Sequence, residues 1–194
     1  MGKNFSANSI CNHLKKEENS KIAPETIRNY IKYLSNSNLI TKVQREAIEG
    51  KEILTANEKY YITDHGFNQV YNGRNITNIS RTIENIVYIE LLRNRYKVFI
   101  GKLNNSEVDF IAKKGKQKIY IQVSYFLASD ETVNSEFRPL LKIKDNYPKY
   151  VLSMDKFDFS HEGVIHQNII DFLVWFKIII LNNPIYMTVQ NYFD

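Results

Sequence analysis

The chain of 194 residues carries a net charge of +5, with 43% hydrophobic and 24% charged residues, the balance of an ordinary globular protein of one or two domains. Its single cysteine, Cys11, excludes an internal disulfide and a cysteine-based zinc site, which favours a reducing, cytoplasmic location. The N-terminus has no apolar run typical of a signal peptide, and segment 172–181 is too short to cross a bilayer. No membrane partner is therefore expected.

The first part of the chain predicts two helices followed by a hairpin. Ser6 is placed to cap the first helix, and Pro24 suits the first turn of the second. Strand-like runs follow at 39–43, 52–54 and 60–62. This order is typical of a winged helix-turn-helix, which we assign to residues 1–73, and an interaction domain of the same shape is the alternative. The face that the second helix would offer to a DNA groove contains Arg28, Asn29 and Lys32.

The second part alternates between helical and strand-like patterns, and we assign residues 74–174 to one domain. Helices are predicted over 79–95 and 132–143, the latter capped by Ser129 or Asp130. Strands are predicted over 97–102, 107–113, 118–125, 150–154 and 164–169. Strands flanked by helices predict an α/β (α+β) fold with a mixed sheet. Residues 175–194 form a tail of unclear role.

The run EVDFIAKKGKQKIYIQVS, from Glu107 to Ser124, predicts a hairpin that turns at residues 115–116. Asp109 then lies opposite Gln122, at roughly 4.5–5.5 Å between Cβ atoms. Aspartate is unfavoured within strands, so its position suggests a functional role rather than a turn-proximal surface role. Hard cations such as Mg²⁺ prefer oxygen ligands, and we therefore predict Asp109 and Gln122 as the metal-binding pair.

Two acids on the preceding helix could also reach this site. Glu84 lies at the border of the apolar stripe, and Glu90 falls inside it. A carboxylate on an apolar face must find a partner or take up a proton. Either acid could point at the site, and the alternative is that it pairs with a nearby arginine or lysine.

The same region is strongly basic. Residues 93–118 contain eight lysines or arginines against two acids, which would attract a phosphate backbone. An exposed strand edge defended by lysines is the alternative. The predicted contacts to nucleic acid in this region are Lys113, Lys116 and Lys118.

The runs ENIVYIELL, EVDFI and IQVSY resemble the PD-(D/E)xK nuclease-like domain at the C-terminus of a family of bacterial and archaeal AAA-type ATPases. The preceding segment is similar to the winged helix that links the two parts in that family, and the resemblance covers residues 5–172. It implies a restriction-endonuclease-like sheet flanked by helices, in which active relatives use Mg²⁺ or Mn²⁺ to cut DNA. Glu84 matches the helix glutamate, Asp109 the central aspartate and Gln122 the Glu or Gln position, while Ser124 stands where the lysine is expected.

The departures from this family determine the expected function. The lysine that helps to activate water is absent, Gln122 weakens metal binding, and the ATPase core is not part of the sequence. We therefore expect a nucleic-acid-binding or partner-binding module with a degenerate nuclease-like site that does not cut. One alternative is a Mg²⁺-dependent DNA endonuclease, in which Lys113, Lys116 or Lys118 would supply the amine. A second is an interaction domain that couples to an ATPase supplied in trans.

Overall fold

The computed structural model describes residues 6–50, 52–64, 66 and 79–174, without the side chains of residues 55–58. The helices are α1 (Ala7–Glu18), α2 (Pro24–Asn36), α3 (Ile79–Arg93) and α4 (Asp130–Leu141). The strands are β1 (Ile40–Ala47), β2 (Ile53–Ile62), β3 (Lys97–Leu103), β4 (Ser106–Lys114), β5 (Gln117–Val123), β6 (Lys149–Ser153) and β7 (Val164–Asn168).

Within the described residues the strands form one seven-stranded sheet in the order β2-β1-β3-β4-β5-β6-β7. The β1–β2, β3–β4 and β4–β5 pairs are antiparallel, whereas β1–β3, β5–β6 and β6–β7 are parallel. The prediction of a mixed sheet combined with helices is therefore confirmed.

The sheet has an apolar core on each face, because alternate residues of a strand point to opposite sides. On one face, Leu91 of α3 belongs to the same buried cluster as Phe110 of β4. On the other, Phe137 of α4 shares a cluster with Ile111, the next residue of β4. Strand β4 is consequently covered on both sides, and a polar residue on it needs a specific partner.

The helix ends follow the local sequence signals. Ser6 caps α1 in a reciprocal capping box with Ser9, and Pro24 occupies the first turn of α2. Ser129, one of the two predicted caps, accepts a hydrogen bond from the backbone of Thr132 at the start of α4. Cys11 is buried in the small apolar cluster between α1 and α2.

The β1–β2 hairpin differs from the prediction in length and in partner. Its strands are longer than the predicted runs, and Arg45 of β1 pairs in parallel with Ile100 of β3. The hairpin expected as the wing of a separate domain thus extends the same sheet as the later strands. Local periodicity specifies that a segment is a strand but not which distant strand it joins.

Strands from before and after the predicted domain boundary at residue 73 belong to this one sheet. The boundary itself falls in residues 67–78, outside the described residues. The winged helix and the division into two domains remain predictions. Residues 169–174 are helical, and the rest of the apolar segment 172–181 and the tail 175–194 also lie outside the described residues. No helix in the described ranges combines the length and apolarity needed to cross a membrane.

Candidate functional site

The predicted β4–β5 hairpin register is confirmed between the turn and the pair formed by Phe110 and Ile121. Its turn occupies residues 115–116, where Gly115 adopts the left-handed φ of 58°, and Ile111 pairs with Tyr120. Asp109 and Gln122 consequently meet, and the backbone N–H of Asp109 donates to Oε1 of Gln122 at 3.2 Å.

Both polar side chains are held by further hydrogen bonds. Oδ2 of Asp109 accepts the backbone N–H of Val123 at 2.9 Å. Nε2 of Gln122 donates to Oε2 of Glu136, on α4, at 2.9 Å. The Gln122 amide therefore connects β4 to α4, and its only oxygen already accepts a hydrogen bond.

A buried lysine lies among the acids of this site. The side chain of Lys59, from β2, is only 3% exposed, and its Nζ lies 2.6 Å from Oε1 of Glu84. The same nitrogen is 3.8 Å from Oε1 of Glu107 and 3.8 Å from Oδ1 of Asp109. The site therefore contains an amine although residue 124 is a serine. Lys59 supplies it from β2, a strand that the sequence did not predict to lie at the site.

Contacts between β2 and α3 hold Lys59 in place. Tyr61, two residues along the same face of β2, stacks on Tyr88 with ring centroids 4.3 Å apart. Its hydroxyl donates to Oε1 of Glu84 at 2.5 Å. The side-chain amide of Asn85 both accepts from the N–H of Ile62, at 2.9 Å, and donates to its carbonyl, at 2.8 Å. These contacts tie the end of the hairpin to the helix that carries Glu84.

Acids outnumber cations among the described side chains of this cluster. Lys59 lies near Glu84, Glu107 and Asp109, and Arg45 lies 2.5 Å from Glu107, while Glu136 joins the cluster through Gln122. Counting these described groups alone, the four acids exceed the two cations by two charges when every group is ionised.

Burial has the largest influence on the proton affinities of these groups, and the neighbouring charges modify it. Burial, reinforced by the charge of Glu84, raises the pKa of Asp109 well above its usual range, against the opposing attraction of Lys59. Burial also raises the pKa of Glu136, against the hydrogen bond from Gln122. For Lys59, burial lowers the pKa, but the charges of Asp109 and Glu84 outweigh it and the pKa lies above its ordinary value. Lys59 is therefore a cation at neutral pH.

Several oxygens that could bind a divalent metal ion already have partners within the protein. Glu84 directs one oxygen at Lys59, Asp109 uses one for Val123, and the amide oxygen of Gln122 is occupied by a backbone N–H. Among the described residues no group of three or more acids, histidines or cysteines is arranged to hold a metal. Mg²⁺ requires well-placed oxygen ligands, and one oxygen each of Glu84, Asp109 and Gln122 already faces a donor of the protein.

The other predicted site residues have different roles. The hydroxyl of Ser124, at the position expected for lysine, donates to the carbonyl oxygen of Phe126 at 3.3 Å. Glu90 is buried and pairs with Arg93 at 3.0 Å and with Asn94 at 3.0 Å. Of the two helix acids, Glu84 is therefore the one at the site. Glu90 instead pairs with a nearby arginine, as the alternative prediction stated.

The predicted nucleic-acid contacts on the β4–β5 hairpin are partly committed to other partners. Lys113 pairs with the buried Glu46 at 2.6 Å, and Lys118 is largely buried at 3.4 Å from Asp145. Lys116 is exposed in the turn. Ion pairing reduces the charge that Lys113 and Lys118 present to a phosphate, and their contribution to binding stays a prediction.

The predicted face of α2 is open. Arg28, Asn29 and Lys32 are all exposed. Arg28 makes an exposed ion pair with Glu25 at 2.8 Å, a type of pair that contributes little stability and can be exchanged for a phosphate.

The sequence indicates the faces on which the missed residues lie, although not the residues that they contact. Alternate residues of a strand point to the same side, so Lys59 and Tyr61 lie on one face of β2. A predicted strand that included residue 59 would have placed a lysine on the same face as Tyr61. Glu136 stands three residues after Val133 and four before Leu140, on the inward side of α4, as Glu84 does on α3.

No protein-family model matches the chain. It is 41% identical over 130 residues to an uncharacterized protein of Haemophilus influenzae, a match covering 66% of this chain and 31% of that protein. It is 36% identical over 119 residues to an uncharacterized protein of Methanocaldococcus jannaschii, covering 59% of this chain and 26% of that protein. The chain thus spans less than a third of the length of these curated relatives.

Proposed function

We propose that this chain is a nucleic-acid-binding module built on a nuclease-like sheet, and that it holds nucleic acid without cutting it. The observation that carries this proposal is the closed set of contacts among Lys59, Glu84, Asp109 and Gln122. In a cutting enzyme these groups would be free to hold a cation and orient water. Here they bind one another.

The hydrogen bonding of the described buried side chains supports the non-cutting part of the proposal. Within the described residues every buried side-chain nitrogen and oxygen has a hydrogen-bond partner. Burial raises the pKa values of Asp109 and Glu136, because it makes their charged forms more costly. A self-satisfied polar network stabilises a unique arrangement, which is a structural role.

The nucleic-acid part rests on the outward face of α2 and on the overall positive charge. Arg28 and Lys32 can contact phosphates, and Asn29 between them can contact a base edge. Tyr30 and Tyr33 are 53% and 62% exposed on the same helix, and aromatic rings add stacking surface to such an interface.

The test measures the affinity for a labelled duplex by fluorescence anisotropy at several salt concentrations. We expect binding that weakens as salt rises, and Arg28→Ala or Lys32→Ala should each lower the slope of log K against log salt by about 1. Lys156→Ala, which removes an exposed lysine elsewhere, is the matched control. Salt-independent binding, or equal effects of all three substitutions, would remove α2 from the interface.

Cutting is tested on the same protein with supercoiled DNA, at low salt, in Mg²⁺ or Mn²⁺. We expect no conversion to the nicked circle. Metal-dependent nicking that disappears in Asp109→Ala would overturn the non-cutting part of the proposal. The absence of duplex binding at every salt concentration of the anisotropy titration would overturn the binding part and favour an interaction domain.

A metal-dependent endonuclease is the second candidate, and one observation favours it. Lys59 brings to the acids an amine of the kind missing from position 124, and does so from β2 rather than from Lys113, Lys116 or Lys118. The excess of acids in the cluster would also suit an added cation. A third proposal is that this chain is an interaction domain that couples to an ATPase supplied in trans.

A further inference from the structure

We propose that the ammonium group of Lys59 is the resident cation of the acidic centre, standing in the place that metal-dependent nucleases give to a divalent ion. This inference rests on the geometry of the described side chains and not on whether the protein binds nucleic acid. It concerns the part of the centre formed by Glu84, Glu107 and Asp109.

The position of Nζ is the first support. It lies within 4 Å of oxygens from all three acids, which belong to α3 and to β4. A cation that neutralises several carboxylates from different elements is what a metal provides in such a centre. The lysine provides it covalently attached to the protein.

Burial is the second support. An isolated charge is very costly to remove from water unless it is paired, so a lysine that is 97% shielded must be matched by the acids around it. Conversely, the acids depend on Lys59, because without it Glu84 would keep only the hydroxyl of Tyr61 among its described partners. The lysine and the acids therefore depend on each other for pairing.

A divalent ion entering the centre would have to displace the ammonium from Glu84 and Asp109. Two positive groups cannot share oxygens at this distance without strong repulsion. The wild-type protein should therefore bind Mn²⁺ weakly at this centre, and removal of the charge at position 59 should create a cation site from acids that are already assembled.

The experiment titrates Mn²⁺ into the full chain and follows free Mn²⁺ by electron paramagnetic resonance, without nucleic acid. Lys59→Met should gain one saturable site at least tenfold tighter than any in the wild type, and Lys59→Met/Asp109→Asn should lose it. Lys156→Met, which removes the charge of an exposed lysine, should behave as the wild type. No gain in Lys59→Met, or a wild-type site of equal affinity that Asp109→Asn removes, would overturn the proposal.

Two provisions keep the test decisive if Lys59→Met folds poorly. Lys59→Gln removes the same charge but keeps a donor for Glu84, and it should show the same gain. The unfolding midpoint of the wild type should be unchanged by millimolar Mn²⁺, whereas a ligand bound to the folded state would raise it. A raised wild-type midpoint that Asp109→Asn abolishes would overturn the inference even if the protein binds DNA without cutting.

Discussion

Replacing Lys59 by methionine should destabilise the protein severely. The substitution keeps the apolar stem of a side chain that is 3% exposed but removes the ammonium, which lies 2.6 Å from Glu84. Breaking a buried ion pair by removing one partner typically costs about 3–5 kcal/mol, because the other charge stays buried and unpaired. For a chain of this size, each kcal/mol lowers Tm by about 2–4 °C, so we expect a fall of roughly 6–20 °C.

Urea unfolding followed by circular dichroism measures the loss of free energy of unfolding directly. The double variant Lys59→Met/Glu84→Gln should recover at least half of that loss, because both charges of the closest pair are then absent. Lys156→Met is the control for a lost surface charge and should change the free energy of unfolding by less than about 0.5 kcal/mol. A loss of less than about 1 kcal/mol in Lys59→Met, the size expected for an exposed pair, would refute the reasoning.

Three further substitutions test separate parts of the fold. Tyr61→Phe keeps the ring stacking but removes the donor to Glu84 and should cost about 1.5–3 kcal/mol in urea unfolding, whereas an unchanged value would show that the hydroxyl is dispensable. Gly101→Ala places a Cβ 3.0 Å from that of Val108 and should cost about 1–3 kcal/mol, and an increase in stability would contradict this packing. Burial lowers the pKa of His166, against the opposing charge of Asp155. As the pH falls, His166 therefore becomes protonated in the unfolded chain before it does in the folded protein. The stability that neutral His166 contributes should be present above about pH 6.5 and lost as the pH falls through its folded pKa, and this dependence should flatten in His166→Gln.

The sequence predicted most of the elements because their signals are local. Ser6 and Pro24 mark helix starts, and the turn after Lys114 sets a hairpin register that brings Asp109 to Gln122. Each of these signals acts within a few residues. Their physical causes are capping, a fixed proline φ and a left-handed turn residue.

The centre of the site was not predictable by the same reasoning. Lys59 reaches Glu84 and Asp109 only because β1 joins β3 and the end of β2 then docks on α3. Such contacts depend on long-range pairing, which leaves no local periodicity in the sequence. For the same reason, the sequence did not predict that the β1–β2 hairpin, expected as a wing, joins the sheet of the later strands.

The most direct measurement is a crystal structure of the wild-type chain soaked in Mn²⁺ and recorded at a wavelength where manganese scatters anomalously. We expect the Lys59 ammonium in contact with Glu84 and beside Asp109, with no anomalous peak among these three side chains. An anomalous peak bound by Glu84 and Asp109, with Lys59 displaced, would contradict the account and favour a metal-dependent nuclease.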